Sequence, residues 1–253
     1  DHLDTLTSRG NLANAYQAAG RLDQAISLFE RNLTDFIRVL GPDHPETLAW
    51  RDKLAGAYQA AGRLNEAISL FERNLTDFIR VLGSHHPETL ASRGNLAGAY
   101  QAAGRLDQAI PLLQQNLEDR SHILGPDHRD TLASRNNLAG AYQAAGRIDQ
   151  AIPLLQQTLD DSARILGAHH PRTLTSRNNL AGAYQAAGRL SEAIPLFEQT
   201  LTDHTYILGA HHPDTLNTRN NLAGAYQAAG RLSEAIPLFE QTLTDCAYLL
   251  GPH

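Results

Sequence analysis

The property that most restricts what this chain can become is its period. Tyr16, Tyr58, Tyr100, Tyr142, Tyr184 and Tyr226 stand 42 residues apart, and the stretch NLAGAYQAAGR at 95–105 returns unchanged at 137–147, 179–189 and 221–231. A period of this size marks stacked supersecondary units, none of which hides its apolar face alone. The 253 residues therefore read as six copies of one unit, at about 1–41, 42–83, 84–125, 126–167, 168–209 and 210–253. Together they form a single repeat domain.

The second unit shows how one copy folds. Pro45 suits the first turn of a helix, where its missing N–H has no partner anyway, and it holds His44 in an extended, N-capping conformation. Leu54, Ala57, Tyr58 and Ala61 keep the spacing of one helical face, and Gly62 stands where a left-handed cap ends a helix near Ala61. Leu64, Ala67, Ile68, Phe71, Leu75, Phe78, Ile79 and Leu82 then form a longer apolar stripe. Gly83 closes it. So short a turn between two helices makes an antiparallel hairpin, and no segment alternates with the period of a strand. The expected class is all-α, an α-solenoid of six antiparallel helix hairpins.

The same accounting covers most glycines. Gly20, Gly62, Gly104, Gly146, Gly188 and Gly230 end first helices; Gly41, Gly83, Gly125, Gly167, Gly209 and Gly251 end second helices. Gly10, Gly94 and the mid-helix Gly56, Gly98, Gly140, Gly182 and Gly224 remain. Pro111, Pro153, Pro195 and Pro237 lie four residues past the cap candidates Asp107, Asp149, Ser191 and Ser233, so few backbone bonds should be lost.

These residues carry a family likeness. NLAGAYQAAGRLSEAI at 179–194, the NNLA of 136–139, 178–181 and 220–223, and the LGPDHP and LGAHHP loops resemble the tetratricopeptide repeat, most closely its 42-residue kinesin light chain subtype. The likeness covers all six units. It implies a right-handed superhelix whose first helices line a concave groove that holds peptide segments of protein partners. Two departures stand out. Asn32, Asn74, Asn116, Thr158, Thr200 and Thr242 replace the small alanine usual in the second helix, which bears on how tightly it packs. Arg9, Arg51, Arg93, Arg135, Arg177 and Arg219 replace a large apolar residue in the first.

Helical spacing alone gathers Ala49, Asp52, Lys53, Gly56, Gln59 and Ala60 into one stripe turned away from Leu54 and Tyr58. By resemblance this stripe is the groove wall. Its candidate residues across the chain are Asn14, Asp52, Lys53, Gly56, Gln59, Asn95, Gly98, Gln101, Asn136, Asn137, Gly140, Gln143, Asn178, Asn179, Gly182, Gln185, Asn220, Asn221, Gly224 and Gln227. Each mid-helix glycine costs roughly 0.8–1 kcal/mol relative to alanine. Either a side chain of zero size lets a bound backbone approach the flanking amides, or the glycines let neighbouring first helices pack and one asparagine of each pair ties repeat to repeat.

Asp35, Asp77, Asp119, Asp161, Asp203 and Asp245 offer the arginine series an ion-pair ladder, within a unit or from the preceding one. Exposed pairs contribute only about 0–1 kcal/mol each. His44, His85, His86, His128, His169, His170, His211 and His212 recur in the loops. Equivalent loops of stacked hairpins lie too far apart for one ion, so loop and cap roles are expected and no metal. Phosphate-loop, nucleophile-elbow, zinc-protease and dinucleotide motifs are absent. Residues 179–203 repeat identically at 221–245, whereas an active site needs unlike groups at one place. No enzyme and no cofactor are expected.

A formal charge of −6 gives no electrostatic footprint for nucleic acid, and no apolar run reaches the length of a membrane span. Cys246 is the sole cysteine, which fits a reducing compartment; the expectation is a cytoplasmic protein without membrane or nucleic-acid partners. The chain lacks a starting methionine and begins and ends at equivalent points of the unit, so it reads as part of a longer protein. Three roles follow: a scaffold for a peptide of a protein partner; end-to-end self-association through the apolar last unit, with Leu243, Tyr248 and Leu249; and, by family analogy for an array of this bacterial-looking kind, the sensory arm of a larger signalling ATPase or protease.

Overall fold

The computed structural model describes residues 3–250, and side chains from 4 to 247. The expectations for Tyr248, Leu249 and Gly251 therefore fall outside the described side chains. Twelve α-helices and no strand occur among the described residues: α1 (Leu3–Ala18), α2 (Leu22–Leu40), α3 (Pro45–Ala60), α4 (Leu64–Leu82), α5 (Pro87–Ala102), α6 (Leu106–Leu124), α7 (Arg129–Ala144), α8 (Ile148–Leu166), α9 (Pro171–Ala186), α10 (Leu190–Leu208), α11 (Pro213–Ala228) and α12 (Leu232–Leu250). Odd helices run 16 residues and even ones 19. Each odd helix packs on the even helix that follows it, giving the six hairpins of an all-α repeat solenoid. The hairpins group into two compact units, residues 1–126 and 127–253.

Local chemistry sets each boundary. His44, His86, His128, His170 and His212 adopt extended backbone at the N-cap, and each Nδ1 accepts the backbone N–H two residues on at 3.2–3.3 Å. That satisfies one of the orphan donors of a helix start. At the other end, Gly62 takes φ +73°. Its N–H reaches Gln59 O at 3.0 Å, and the N–H of Arg63 reaches Tyr58 O at 2.9 Å, the paired closure of a Schellman turn. Gly83, at φ 91° and ψ 160°, holds a conformation essentially confined to glycine.

The proline-bearing helices start earlier than the sequence suggests. Their N-caps are Arg105, Arg147 and Arg189, without side-chain capping bonds, rather than Asp107, Asp149 and Ser191; α12 likewise opens at Leu232, so Ser233 is already helical. Arginine has no short oxygen to offer, and the tight glycine turn fixes the entry instead. Pro111, Pro153, Pro195 and Pro237 thus lie inside their helices, and each forgoes one backbone bond.

First helices are buried on two sides. In α3, Leu54, Ala55 and Ala57 are buried, as are Leu48 and Arg51, because α3 packs on α2 as well as α4. In α4 the buried set is Ala67, Ile68, Phe71, Asn74, Leu75 and Phe78; Ile79, from the expected stripe, stays 42% exposed. Burying each large apolar side chain contributes about 1.5–3 kcal/mol.

The two departures from the family pattern are absorbed in the core. Asn32, Asn74, Thr158 and Thr200 are 0% exposed, so the larger residue packs tightly. Asn74 Nδ2 donates to Leu48 O at 2.9 Å and Asp52 Oδ1 at 2.6 Å, and Thr158 and Thr200 donate to the carbonyls four residues back. The arginines pair within their own unit: Arg9–Asp35, Arg51–Asp77, Arg93–Asp119, Arg135–Asp161, Arg177–Asp203 and Arg219–Asp245 at 2.5–2.8 Å. They are not exposed pairs. Arg51 is 3% and Arg135 4% exposed, so desolvation makes them expensive to break singly.

Candidate functional site

Between the two buried sides of each first helix runs an open strip, and the predicted residues lie on it. Asn14, Lys53, Asn95, Asn137, Asn220 and Gln227 are exposed; Asp52, Gly56, Gln59, Gly98, Gln101, Asn136, Gly140, Gln143, Asn178, Asn179, Gly182, Gln185, Asn221 and Gly224 are half-buried. In the first unit α3 touches α5, and in the second α9 touches both α7 and α11, so each unit carries its strips side by side.

The mid-helix glycines do not serve helix packing. A Cβ built on Gly56, Gly98, Gly140 or Gly182 meets nothing within 4 Å, and one on Gly224 meets only the Gln185 amide nitrogen, at 3.5 Å. Gly10 behaves oppositely, since a Cβ there would lie 1.8 Å from the ring of Trp50. Packing therefore accounts for Gly10, while the open glycines of the strip have no neighbour to accommodate.

Not every strip residue is available. Asp52 Oδ1 accepts from Asn74 Nδ2 and, at 3.2 Å, from Ser92 Oγ; Oδ2 accepts from Asn95 Nδ2 at 3.4 Å. Burial pushes the Asp52 carboxyl up, against those hydrogen bonds. Asp52 and Asn95 thus join α3, α4 and α5. Lys53 Nζ sits 3.9 Å over the Trp50 ring. In the second unit the Oδ1 atoms of Asn136 and Asn178 are buried without a hydrogen-bond partner, which leaves two acceptors unused.

A second repeated arrangement escaped the sequence reading. Tyr58 Oη donates to Glu30 at 2.5 Å, and Tyr100 and Tyr226 donate to Glu72 and Glu198, tying each first helix to the preceding second helix. Burial, reinforced by the glutamate, raises all three phenols to about 12. Arg63 and Arg231 lie over the same rings, each 4.4 Å from the centroid. The signal was present as glutamate at 30, 72 and 198, at one register of the period. His85, His169 and His211 stand 3.4–3.8 Å from Asp119, Asp203 and Asp245. Where the loop carries aspartate instead, Asp43 and Asp127 pair with Arg80 and Arg164. Among the described residues no group of three histidine, cysteine or acidic side chains is placed to hold a metal ion, and no helix is long and apolar enough to cross a membrane.

Hairpins closed by a glycine turn, stacked so that first helices share an open strip, define a helical-repeat scaffold. The chain belongs to the tetratricopeptide-repeat family, whose model matches residues 4–75, 49–118, 88–161, 136–203 and 205–246. Within that family it is kinesin light chain-like. It is 39% identical to a kinesin light chain-type protein of Podosopora anserina with nearly identical TPR-like repeats, covering 81% of this chain and 98% of that one at a TM-score of 0.71. BtubC (BKLC) from P. vanneervenii shares the fold at 22% identity and a TM-score of 0.75, over 92% of this chain and 93% of that one. So does a signal transduction ATPase with a tetratricopeptide repeat sensor from Pyrococcus horikoshii, at 15% identity and 0.72, covering 99% of this chain and 37% of that one. No curated protein sequence matches significantly. The fold is in general a protein–protein interaction scaffold, and these relatives' repeats are non-catalytic folds.

Proposed function

We propose that this chain holds an extended or helical peptide segment of a protein partner along the strips of its first helices. The observation that carries this reading is the open space over Gly56, Gly98, Gly140 and Gly182. A helix retains a destabilising residue there although no neighbour needs the room, and a partner's backbone is the group that gains from it. The flanking amides Asn137, Asn179, Asn221, Gln143 and Gln185 supply both donors and acceptors. Because most of these groups are uncharged, recognition depends on hydrogen bonds and shape, and affinity changes little with salt.

The test is affinity capture and titration with the native chain against the chain carrying Asn137→Ala, Asn179→Ala and Asn221→Ala. A partner peptide that binds the native chain should lose most of its affinity to the variant while helicity and melting stay the same. Equal binding by both, or an affinity that collapses between low and high salt, sinks the reading.

Self-association is the second reading, favoured by one observation. Leu232, Ile236 and Leu243 on α12 are 53%, 51% and 73% exposed, whereas the counterpart Ile194 on α10 is 6% exposed. A further hairpin, from the same protein or a second copy, would cover that face as α11 covers α10. Sedimentation of the native chain and of an Ile236→Glu, Leu243→Glu variant over a hundredfold concentration range decides it. A native chain that stays monomeric throughout removes this reading.

A further inference from the structure

The helices α1 and α12 each leave open a face that their counterparts inside the chain bury. On α1, Leu12 is 47% exposed, whereas Leu54, Leu96, Leu138, Leu180 and Leu222 at the same register are 1–5% exposed. Ala15 is exposed too, while its counterparts Ala57 and Ala225 are fully buried. What α1 lacks, among the described residues, is a second helix before it, as α2 precedes α3 and α10 precedes α11. This is therefore the face that a preceding second helix covers.

On α12 the open face holds Leu232, Ile236, Glu240 and Leu243. Residues 221–245 repeat 179–203 without a change, so these four are the side chains that α10 presents as Leu190, Ile194, Glu198 and Leu201. There α11 lies over them. Ile194 packs in one apolar cluster with Leu222, Ala225 and Tyr226, and Tyr226 Oη donates to Glu198.

The covering face also exists in the chain. α1 carries Leu12, Ala15 and Tyr16 where α11 carries Leu222, Ala225 and Tyr226. Arg21 lies over the Tyr16 ring at 4.5 Å, as Arg231 lies over Tyr226 at 4.4 Å, so the ring is already held against the same arginine. Glu30, Glu72 and Glu198 each accept from the tyrosine 28 residues on, and Glu240 stands at their register; of this bond the chain holds two unmatched halves, Tyr16 and Glu240. Where His204 of α10 meets Thr218 of α11, the corresponding pair is Cys246 and Ser8. Both are smaller, so the approach meets no clash.

We propose that α12 of one copy of this chain packs against α1 of a second copy in the register in which α10 packs against α11, with Tyr16 Oη donating to Glu240 across the joint. The inference rests on the self-association reading and gives it a polarity. Burial of the leucines and isoleucine drives the contact, and the tyrosine–glutamate bond sets its register. Such a joint is heterologous, so its repeated use builds rings or open filaments rather than a closed two-fold dimer.

The experiment is sedimentation velocity of the full chain over a hundredfold concentration range. Leu12→Glu and Ile236→Glu each place a charge on one face only, at a side chain that solvent already reaches, and unchanged helicity checks that both fold. Each variant alone should stay monomeric where the native chain assembles. Mixed in equal amounts they should form a heterodimer and nothing larger, because the first keeps its α12 face and the second its α1 face. Tyr16→Phe, which keeps the ring, should weaken association by roughly 2- to 10-fold, as the loss of one hydrogen bond does. A mixture that stays monomeric, a Leu12→Glu chain that assembles as the native chain does, or native affinity in Tyr16→Phe overturns the proposal. The two readings fail differently: a native chain that is monomeric throughout removes self-association and this pairing together, whereas assembly that persists in Leu12→Glu and stops in Ile236→Glu keeps self-association, through paired α12 faces, and removes this pairing alone.

Discussion

The guanidinium of Arg51 meets the carboxylate of Asp77 at 2.6 Å inside one hairpin, with the arginine side chain 3% and the aspartate 18% exposed. The same nitrogen lies 3.3 Å from Asn74 Oδ1, and Nη2 donates to Pro42 O at 3.4 Å. One buried cation therefore gathers the loop before α3, the middle of α4 and its end. Arg51→Ala removes the cation and leaves the carboxylate with Arg80 alone, at 3.1 Å, which should cost about 3 kcal/mol, the low end for a buried pair because Asp77 keeps that second arginine and some solvent. Replacing both residues by Met and Leu should recover most of that loss. Urea denaturation of the single and double variants checks it; additive losses would show that the pair is not coupled.

The same pairs set the response to acid. The hydrogen bond from Arg9 holds the Asp35 carboxyl below its ordinary value, and that from Arg219 does the same for Asp245, in both cases against burial. For Asp77 and Asp119 burial is the largest single influence and pulls upward, but hydrogen bonds from Arg51 and Arg80 to the first and from Arg93 and Gln115 to the second, together with the nearby positive charges, outweigh it. A carboxyl depressed in the folded state adds stability above its unfolded pKa of about 3.9, and loses it as pH falls through the folded value. The chain should keep its melting temperature from about pH 7 to 5 and lose it steeply below about pH 4. Thermal melts across that range test the sign, and a melting temperature that rises on acidification would contradict it.

Asn32 and Asn74 occupy one register with different fates. Asn74 donates to Asp52, but the residue at the corresponding place in α1 is Gly10, and both amide atoms of Asn32 are buried without partners. Leaving such groups unmet costs about 1–3 kcal/mol. Threonine is the chain's own alternative at this register, with its hydroxyl returning to the carbonyl four residues back. Asn32→Thr should therefore stabilise by about 1 kcal/mol, and Asn74→Thr should destabilise by a similar amount because it removes the shortest of the hydrogen bonds that hold Asp52, leaving those from Ser92 and Asn95. Calorimetric melts of the two variants, side by side, decide it.

These contrasts explain what the sequence disclosed. Helix ends were legible because His44, Pro45, Gly62 and Gly83 each act within a few residues of themselves, so spacing alone located them. The strip was legible for the same reason, since Asn137, Gly140 and Gln143 share a face by helical geometry. The burial of Arg51 and the bond from Tyr58 to Glu30 were not, because they depend on what a side chain meets 26 and 28 residues away. The N-caps of the proline helices were misjudged on local grounds: Asp107 looks like a cap by residue type, yet the turn through Gly104 fixes the helix start at Leu106.

Glycine makes the sharpest pair of predictions, because one substitution should have opposite signs at two places in α1 and α9. A Cβ on Gly182 meets nothing within 4 Å, so Gly182→Ala should gain about 0.8–1 kcal/mol from helix propensity alone. At Gly10 the new methyl would lie 1.8 Å from Trp50 Cη2, and the ring cannot yield freely because it is 9% exposed and stacks on Phe36. Overpacking of this kind costs about 1–3 kcal/mol. Gly10→Ala should thus lower the melting temperature, and adding Trp50→Ser, the residue found at Ser92, Ser134 and Ser176, should relieve the clash. The double variant then loses only the packing of Trp50. If Gly10→Ala and Gly182→Ala shift the melting temperature in the same direction, the distinction between glycines that admit a neighbouring ring and glycines that face open space is wrong.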